Sequence, residues 1–249
     1  MNFASLAASS VFLSTYLLKR NFASKQKKIV LHLYDHCPFC VRVELVLGWK
    51  NIKYERKLYG YGDVEGPTKL TGKKMLPVLE YYDETGTKKL MPESLDIIKL
   101  LTKDDAEQIK DFTGRKDLKK WKAEYKPLER TLLRPRFLEI GIYDFATEAD
   151  KAYAMNKYMK QGFDYNEARK KSPEAIRQME KVLQEFESLL KAPKTINGGE
   201  HYDLDDVNYL SMLRNLTCVK GLKWPAKVKA YLDAGIDSAE VSQYKMRAI

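Results

Sequence analysis

Cys37 and Cys40 are separated by Pro38 and Phe39 and follow an apolar run from Ile29 to Tyr34. An apolar-periodic run, Val41 to Trp49, comes directly after them. This pattern reads as a strand, a short turn through Asp35 and His36, and a helix whose first turn holds both sulfurs. The first sulfur then lies beside unpaired N–H groups at the positive end of the helix macrodipole, which favours thiolate over thiol. Such placement lowers a thiol pKa from about 8.5 into a range of roughly 3.5–7.5. Pro38 suits the first helical turn, where its missing N–H leaves no bond unmade. The second sulfur, one turn on, can attack a mixed disulfide formed on the first. Cys37 is therefore the candidate nucleophile and Cys40 the candidate resolving thiol of a redox-active pair. A zinc half-site shares the Cys-x-x-Cys spacing but needs a second pair of ligands. Cys218, His32 and His201 do not supply one, so redox chemistry is the better reading and no metal is expected. His36 is either a surface residue or a stabiliser of the Cys37 thiolate.

The framework that must position these sulfurs is legible over residues 29–102. An alternating run from Asn51 to Leu58 suits a strand, and Gly60, Gly62, Gly66 and Pro67 mark a loop. A short helix over Pro67 to Leu70 ends at Gly72, and an apolar strand over Lys73 to Tyr81 has Pro77 at its entrance. Asp83 to Gly86 reads as a hairpin turn, Lys88 to Met91 as the return strand, and Pro92-Glu93-Ser94 as the opening of a helix to about Leu101. The order β-α-β-α-β-β-α is that of a thioredoxin-like α/β domain. Residues 103–114 are polar and charged and form a linker. From 115 to 249 no strand pattern appears. Leu118, Trp121, Tyr125 and Leu128, and later Ile176, Met179, Leu183 and Phe186, recur at helical spacing and predict an all-α domain. Pro135 is expected to end one helix and begin another. Asp203 and Asp206 have the spacing of a capping box. Cys218, in an apolar helical setting, is expected to be an inert core thiol rather than a third redox partner.

Cys37-Pro38-Phe39-Cys40, Leu76-Pro77-Val78 and Pro92-Glu93-Ser94, in that order, resemble glutaredoxins and glutathione transferases together. Leu213-Arg214-Asn215-Leu216-Thr217 and Gly221-Leu222-Lys223-Trp224-Pro225 extend the likeness to the glutaredoxin-2 type, a glutaredoxin site on a transferase-like two-domain chain. The resemblance covers about residues 29–249. It implies a glutathione transferase-type helical second domain, a cis bond before Pro77, and glutathione as co-substrate. Leu76 and Pro77 would face the cysteinyl part of glutathione, and Glu93 and Ser94 its γ-glutamyl end. The activity implied is reduction of protein disulfides and of protein–glutathione mixed disulfides. Conjugation of electrophiles by a transferase is the alternative. A non-enzymatic module holding an iron–sulfur cluster is a third reading, which Pro38 disfavours. Taken alone, Pro77 reads equally as an ordinary trans edge-strand proline, and Glu93 and Ser94 as plain helix-start residues. Phe39 stands where Tyr is common in the family, which removes a hydroxyl and neither sulfur.

The chain is 44% hydrophobic and 31% charged, and three cysteines in 249 residues make no disulfide scaffold, which points to a reducing compartment. The formal charge of +10 invites a nucleic-acid or membrane reading. Half of that excess, however, lies in residues 1–28, which carry Lys19, Arg20, Lys25, Lys27 and Lys28 and no acid. The remaining lysines alternate with acids, so a solvated basic surface is expected, with no nucleic-acid partner. Residues 1–28 are Ser- and Ala-rich, and their apolar run, Leu6 to Leu18, is short of the roughly 20 residues a membrane span needs. No stable membrane insertion is expected. Arg20-Asn21-Phe22-Ala23-Ser24 resembles a mitochondrial processing site, so the extension is read as a targeting peptide for the mitochondrion, with the cytoplasm as alternative. A monomer is expected.

Overall fold

A computed structural model describes residues 28–103 and 109–249. The expected targeting peptide, but for its last residue, and the middle of the expected linker lie outside the described residues. The first half holds a four-stranded sheet in the order β2-β1-β3-β4. Central β1 (Val30–Leu33) runs parallel to β2 (Glu55–Leu58) and antiparallel to β3 (Val78–Tyr82), with Leu31 opposite Leu79. A parallel pair requires a crossover, and α1 (Pro38–Trp49) supplies it. Strands β3 and β4 (Lys88–Pro92) form a hairpin with Val78 opposite Pro92. Its turn is set by Asp83, which accepts from the backbone N–H groups of Thr85 and Thr87. Helices α2 (Glu65–Thr71) and α3 (Ser94–Thr102) complete the predicted element order.

Two strands start later than their sequence pattern suggests. Asn51, at φ 52°, and the bond from Ile52 N–H to the Leu47 carbonyl close the end of α1. That pushes the start of β2 to Glu55. Lys73 to Pro77 form a turn instead of strand, with the Met75 N–H donating to the Lys73 carbonyl and a cis Leu76–Pro77 bond.

The second half consists of α4 (Lys116–Phe137), α5 (Glu148–Met159), α6 (Tyr165–Leu189), α7 (Leu204–Leu216) and α8 (Ala226–Ser238). Pro135 does not end a helix, contrary to expectation: α4 runs 22 residues through both Pro127 and Pro135. A helical proline costs about 3 kcal/mol, but α4 packs along α6 and buries Leu118, Trp121, Tyr125, Leu132, Leu133 and Phe137. That burial outweighs two missing backbone bonds. Helix α7 is buried on every side from Asp205 to Leu216. The Asp203–Asp206 capping box forms as expected, and Asp206 also accepts from the Ile196 N–H and the Tyr231 hydroxyl.

Helix α1 is the hinge between the halves in the packing sense. Its residues Cys40, Val41 and Val43 to Leu47 are all buried between the sheet, α3 and α7. Gly48 has no room for a Cβ against the Ala239 backbone that follows α8. One apolar cluster runs from Leu31 and Leu45 through to Leu210 and Leu213. Among the described residues no helix is long and apolar enough to cross a membrane.

Candidate active site

Cys37 is the residue at which α1 begins. Its carbonyl accepts from the N–H groups of Cys40 and Val41, at 3.0 and 3.1 Å, and Pro38 takes the first helical position. No side chain caps the helix, so the N-terminal donors face the sulfur. The Cys37 pKa is pulled down to about 6, first by the adjacent Cys40 thiol as donor, then by the His36 charge and the N–H groups of Cys40 and Phe39. Burial opposes these and is outweighed. Cys40 is fully buried one turn along. Burial, and then its bond to the Cys37 sulfur, pushes its own pKa well up. The Tyr34 N–H donates to its sulfur at 3.4 Å. The two sulfurs thus divide into a partly exposed thiolate and a buried thiol that gives it a proton to share.

The turn that presents Cys37 is held by the second half of the chain. Asp144, in a 3-10 turn (Tyr143–Phe145) after α4, accepts from the Asp35 N–H at 2.9 Å, the His36 N–H at 2.8 Å and the His36 ring at 2.6 Å. From α7, Arg214 donates to the Asp35 carbonyl at 2.8 Å and to its carboxylate at 3.0 Å. Asn215 donates to the His36 carbonyl at 2.8 Å. Burial works against ionisation of Asp35, but Arg214 and Arg56 outweigh it and hold the carboxyl below its usual range. Arg214 is itself only 1% exposed and stacks on the Tyr244 ring at 3.9 Å. His36 is thus no surface residue. Its ring is enclosed by Tyr34, Tyr61, Phe137 and Phe145, with centroids 4.9–6.0 Å away, and is oriented by Asp144.

A cavity of about 470 Å³ opens in front of Cys37, between the halves. Cys37, Leu76 and Phe39 line it from one side, and α4 and α5 from the other. Leu76 and Pro77 are buried, and the bond between them is cis. Because Val78 pairs with Pro92, Glu93 and Ser94 follow at the same end of the sheet as Pro77. Glu93 is exposed and sits at φ 68°, a conformation an L-residue seldom adopts without reason. Ser94, buried, opens α3, which no side chain caps. Glu93, Ser94, Pro77 and Cys40 do not line the cavity itself. Cys218 is fully buried, and burial pushes its thiol up to about 12. Among the described residues no group of three or more His, Cys, Asp or Glu is placed to hold a metal ion.

Sequence reasoning did not find Asp144, and Ile142-Tyr143-Asp144-Phe145 carries no signal that would mark it. It also read the basic residues as solvated surface. Four of them, Lys126, Arg130, Arg134 and Lys157, line the cavity, Arg130 and Lys157 being exposed as expected. The four-residue spacing of Lys126, Arg130 and Arg134 along α4 is visible in the sequence, but the face it occupies is not.

A family model described as the C-terminal domain of glutaredoxin 2 matches residues 117–248, more than half of the chain. A glutathione S-transferase N-terminal domain model matches residues 31–108. Glutaredoxin 2 of Escherichia coli K12 is 29% identical over 221 residues, covering 88% of this chain and 99% of that protein. The crystal structure of glutaredoxin 2 from Salmonella typhimurium, in complex with glutathione, superposes with a TM-score of 0.82 at 28% identity, over 90% of this chain and all of that one. A glutathione transferase from Phanerochaete chrysosporium, TM-score 0.63 and 17% identity, shares the fold.

Proposed function

The chain belongs to the glutaredoxin 2 family, and from that premise we propose that it is a glutathione-dependent thiol–disulfide oxidoreductase acting on protein–glutathione mixed disulfides and protein disulfides. The observation that carries this is the paired state of the two sulfurs: a lowered Cys37 pKa at an uncapped helix start, with a buried Cys40 thiol behind it.

With a glutathionylated protein, the Cys37 thiolate attacks the glutathione sulfur. The S–S bond between protein and glutathione breaks, the protein thiolate leaves and takes a proton, and a Cys37–glutathione disulfide forms. A second glutathione thiolate attacks that disulfide, releasing oxidised glutathione and restoring the Cys37 thiolate. With a protein disulfide, Cys37 forms a mixed disulfide with one protein sulfur. Cys40 then loses its proton and attacks Cys37, forming a Cys37–Cys40 disulfide and freeing the reduced protein. Two glutathiones reduce that disulfide, so electrons pass from glutathione to the protein. Rate follows the thiolate fraction and the pKa of the leaving sulfur.

Glutathione would lie along the cis Leu76–Pro77 turn, its cysteinyl backbone paired with Leu76. Its α-carboxylate would sit on the open N–H groups at Ser94, and its ammonium on Glu93. An uncapped helix start is a ready anion site, and the glutathione in the Salmonella relative supports this reading. We further propose the division into a 1–28 extension, a 29–102 glutaredoxin domain, a 103–114 linker and a 115–249 helical domain. We also propose action as a monomer. Delivery to the mitochondrion is proposed from the Ser- and Ala-rich, acid-free composition of residues 1–28 and from the stretch Arg20-Asn21-Phe22-Ala23-Ser24.

The deciding experiment is turnover of a glutathione mixed disulfide, coupled to glutathione reductase, beside a conjugation assay with a generic electrophile. Disulfide turnover that disappears in Cys37→Ser is the expected result. Conjugation without disulfide exchange would make the chain a transferase.

A further inference from the structure

The cavity wall opposite Cys37 is cationic in a way that folding does not require. Along α4, Lys122, Lys126, Arg130 and Arg134 fall at every fourth residue, so each has a like charge one turn away. Such pairs destabilise a helix. Lys126 is offset by Glu129 at 2.7 Å, but no carboxylate pairs with Arg130, Arg134 or, across the cavity on α5, Lys157 among the described residues. The Arg134 guanidinium carbon sits over the Tyr158 ring, 3.9 Å from its centroid, and 4.7 Å from the centroid of the Phe163 ring. That stacking holds its guanidinium in place. Burial, with Arg130 nearby, presses against its charge, yet a guanidinium cannot shed its proton in a protein. Lys157 is likewise fixed, donating to the Tyr61 hydroxyl at 2.8 Å. Phe137, Leu133 and Tyr165 make the adjoining walls apolar, which concentrates the positive field toward whatever enters.

We propose that Lys126, Arg130, Arg134 and Lys157 form a selectivity surface for the disulfide partner, one that takes protein segments carrying carboxylate side chains beside the glutathionylated cysteine. This rests on the oxidoreductase reading above. The row fits a peptide in extent as well as in charge. Lys126 to Arg134 spans about 12 Å of helix, which an extended chain covers in about four residues.

The test uses the full chain and three synthetic peptides of one sequence, each bonded through its cysteine to glutathione and flanked by Glu, Gln or Lys. At low ionic strength, kcat/KM for the Glu peptide is expected to exceed that for the Lys peptide by about tenfold. The ratio should shrink in 0.3 M salt, as screening demands. In Arg130→Gln/Arg134→Gln the ratio should fall below about twofold, with turnover of the Gln peptide and KM for glutathione kept within about twofold. Arg130→Lys/Arg134→Lys should restore it. Arg130→Gln alone, at an exposed position, gives the same direction if the double variant folds poorly. A wild-type ratio of one, or an equal loss on all three peptides, overturns the proposal. So does a rise in KM for glutathione matching the loss, which would assign the row to the co-substrate. The mixed disulfides of glutathione with 3-mercaptopropionate and with cysteamine separate the sources of carboxylate. A preference confined to those small compounds overturns the protein assignment. No turnover of any mixed disulfide would instead bring down the oxidoreductase reading on which the proposal stands.

Discussion

Helices α1 and α7 begin in opposite ways. At the start of α7, Asp203 and Asp206 satisfy each other's backbone donors, and Asp206 also takes the Ile196 N–H and the Tyr231 hydroxyl. Nothing there is left over for a ligand. At the start of α1 no side chain caps the helix, and the N–H groups of Cys40 and Phe39 act on the Cys37 sulfur. The start of α3, at Ser94, is uncapped as well. At α7 the capped start builds the frame, whereas at α1 and α3 the open start is where an anion, thiolate or carboxylate, can be held. The two kinds are connected: the far end of capped α7 carries Arg214 and Asn215, which hold the turn leading into open α1.

The largest expected effect comes from removing the anion at the open end. Cys37→Ser should lower turnover of a glutathione mixed disulfide by about 10³-fold or more, while a urea melt moves by no more than about 0.5 kcal/mol. Arg214→Met cuts the connection and leaves Asp35 with a weaker set of partners. Unfolding free energy should fall by about 3 kcal/mol, as for other buried ion pairs that lose one member. A loss under about 1 kcal/mol would show that the connection is dispensable. Asp203→Ala opens the start of α7 and should cost about 1–2 kcal/mol in the same melt. The pH midpoint of Cys37 alkylation should stay put, and a shift would mean that the two helix starts cannot be treated apart.

That midpoint is itself a prediction. Alkylation of Cys37 should be slow below its pKa of about 6 and level off above it, because only the thiolate reacts. His36→Gln removes one of the groups whose field lowers the Cys37 pKa, so the midpoint should move up. An unchanged midpoint would leave the helix start and Cys40 as the whole cause. The smallest effect belongs to Cys218, whose buried thiol is pushed up to about 12. Native protein should resist alkylation there at pH 8, and Cys218→Ala should leave turnover unchanged.

Much of this site could be read from the sequence because its signals are local. Cys37-Pro38-Phe39-Cys40 sits where an apolar strand pattern gives way to a helical one, and Asp203 with Asp206 states its own capping geometry. The family likeness added the cis bond at Leu76–Pro77, which no propensity reveals. Pro135 was misread because local propensity says break, while packing of α4 against α6 says continue. Asp144 and the basic wall were missed for another reason. The hydrogen bonds from His36 and Asp35 to Asp144 span 108 and 109 positions, and the Asp35–Arg214 bond spans 179. Contacts of that separation have no footprint in spacing or composition.

The seat of the Asp35–His36 turn carries a consequence for inheritance. A small oxidoreductase domain is the sort of unit that gene shuffling can move from chain to chain. Here its reactive turn is finished by a buried arginine, an asparagine and an aspartate contributed more than a hundred residues downstream. Moved alone, residues 29–102 would bring both sulfurs and leave behind the groups that aim them. The two halves therefore share one turn, and a substitution at Arg214 or Asn215 in α7 is expected to be felt at the sulfur that the turn presents.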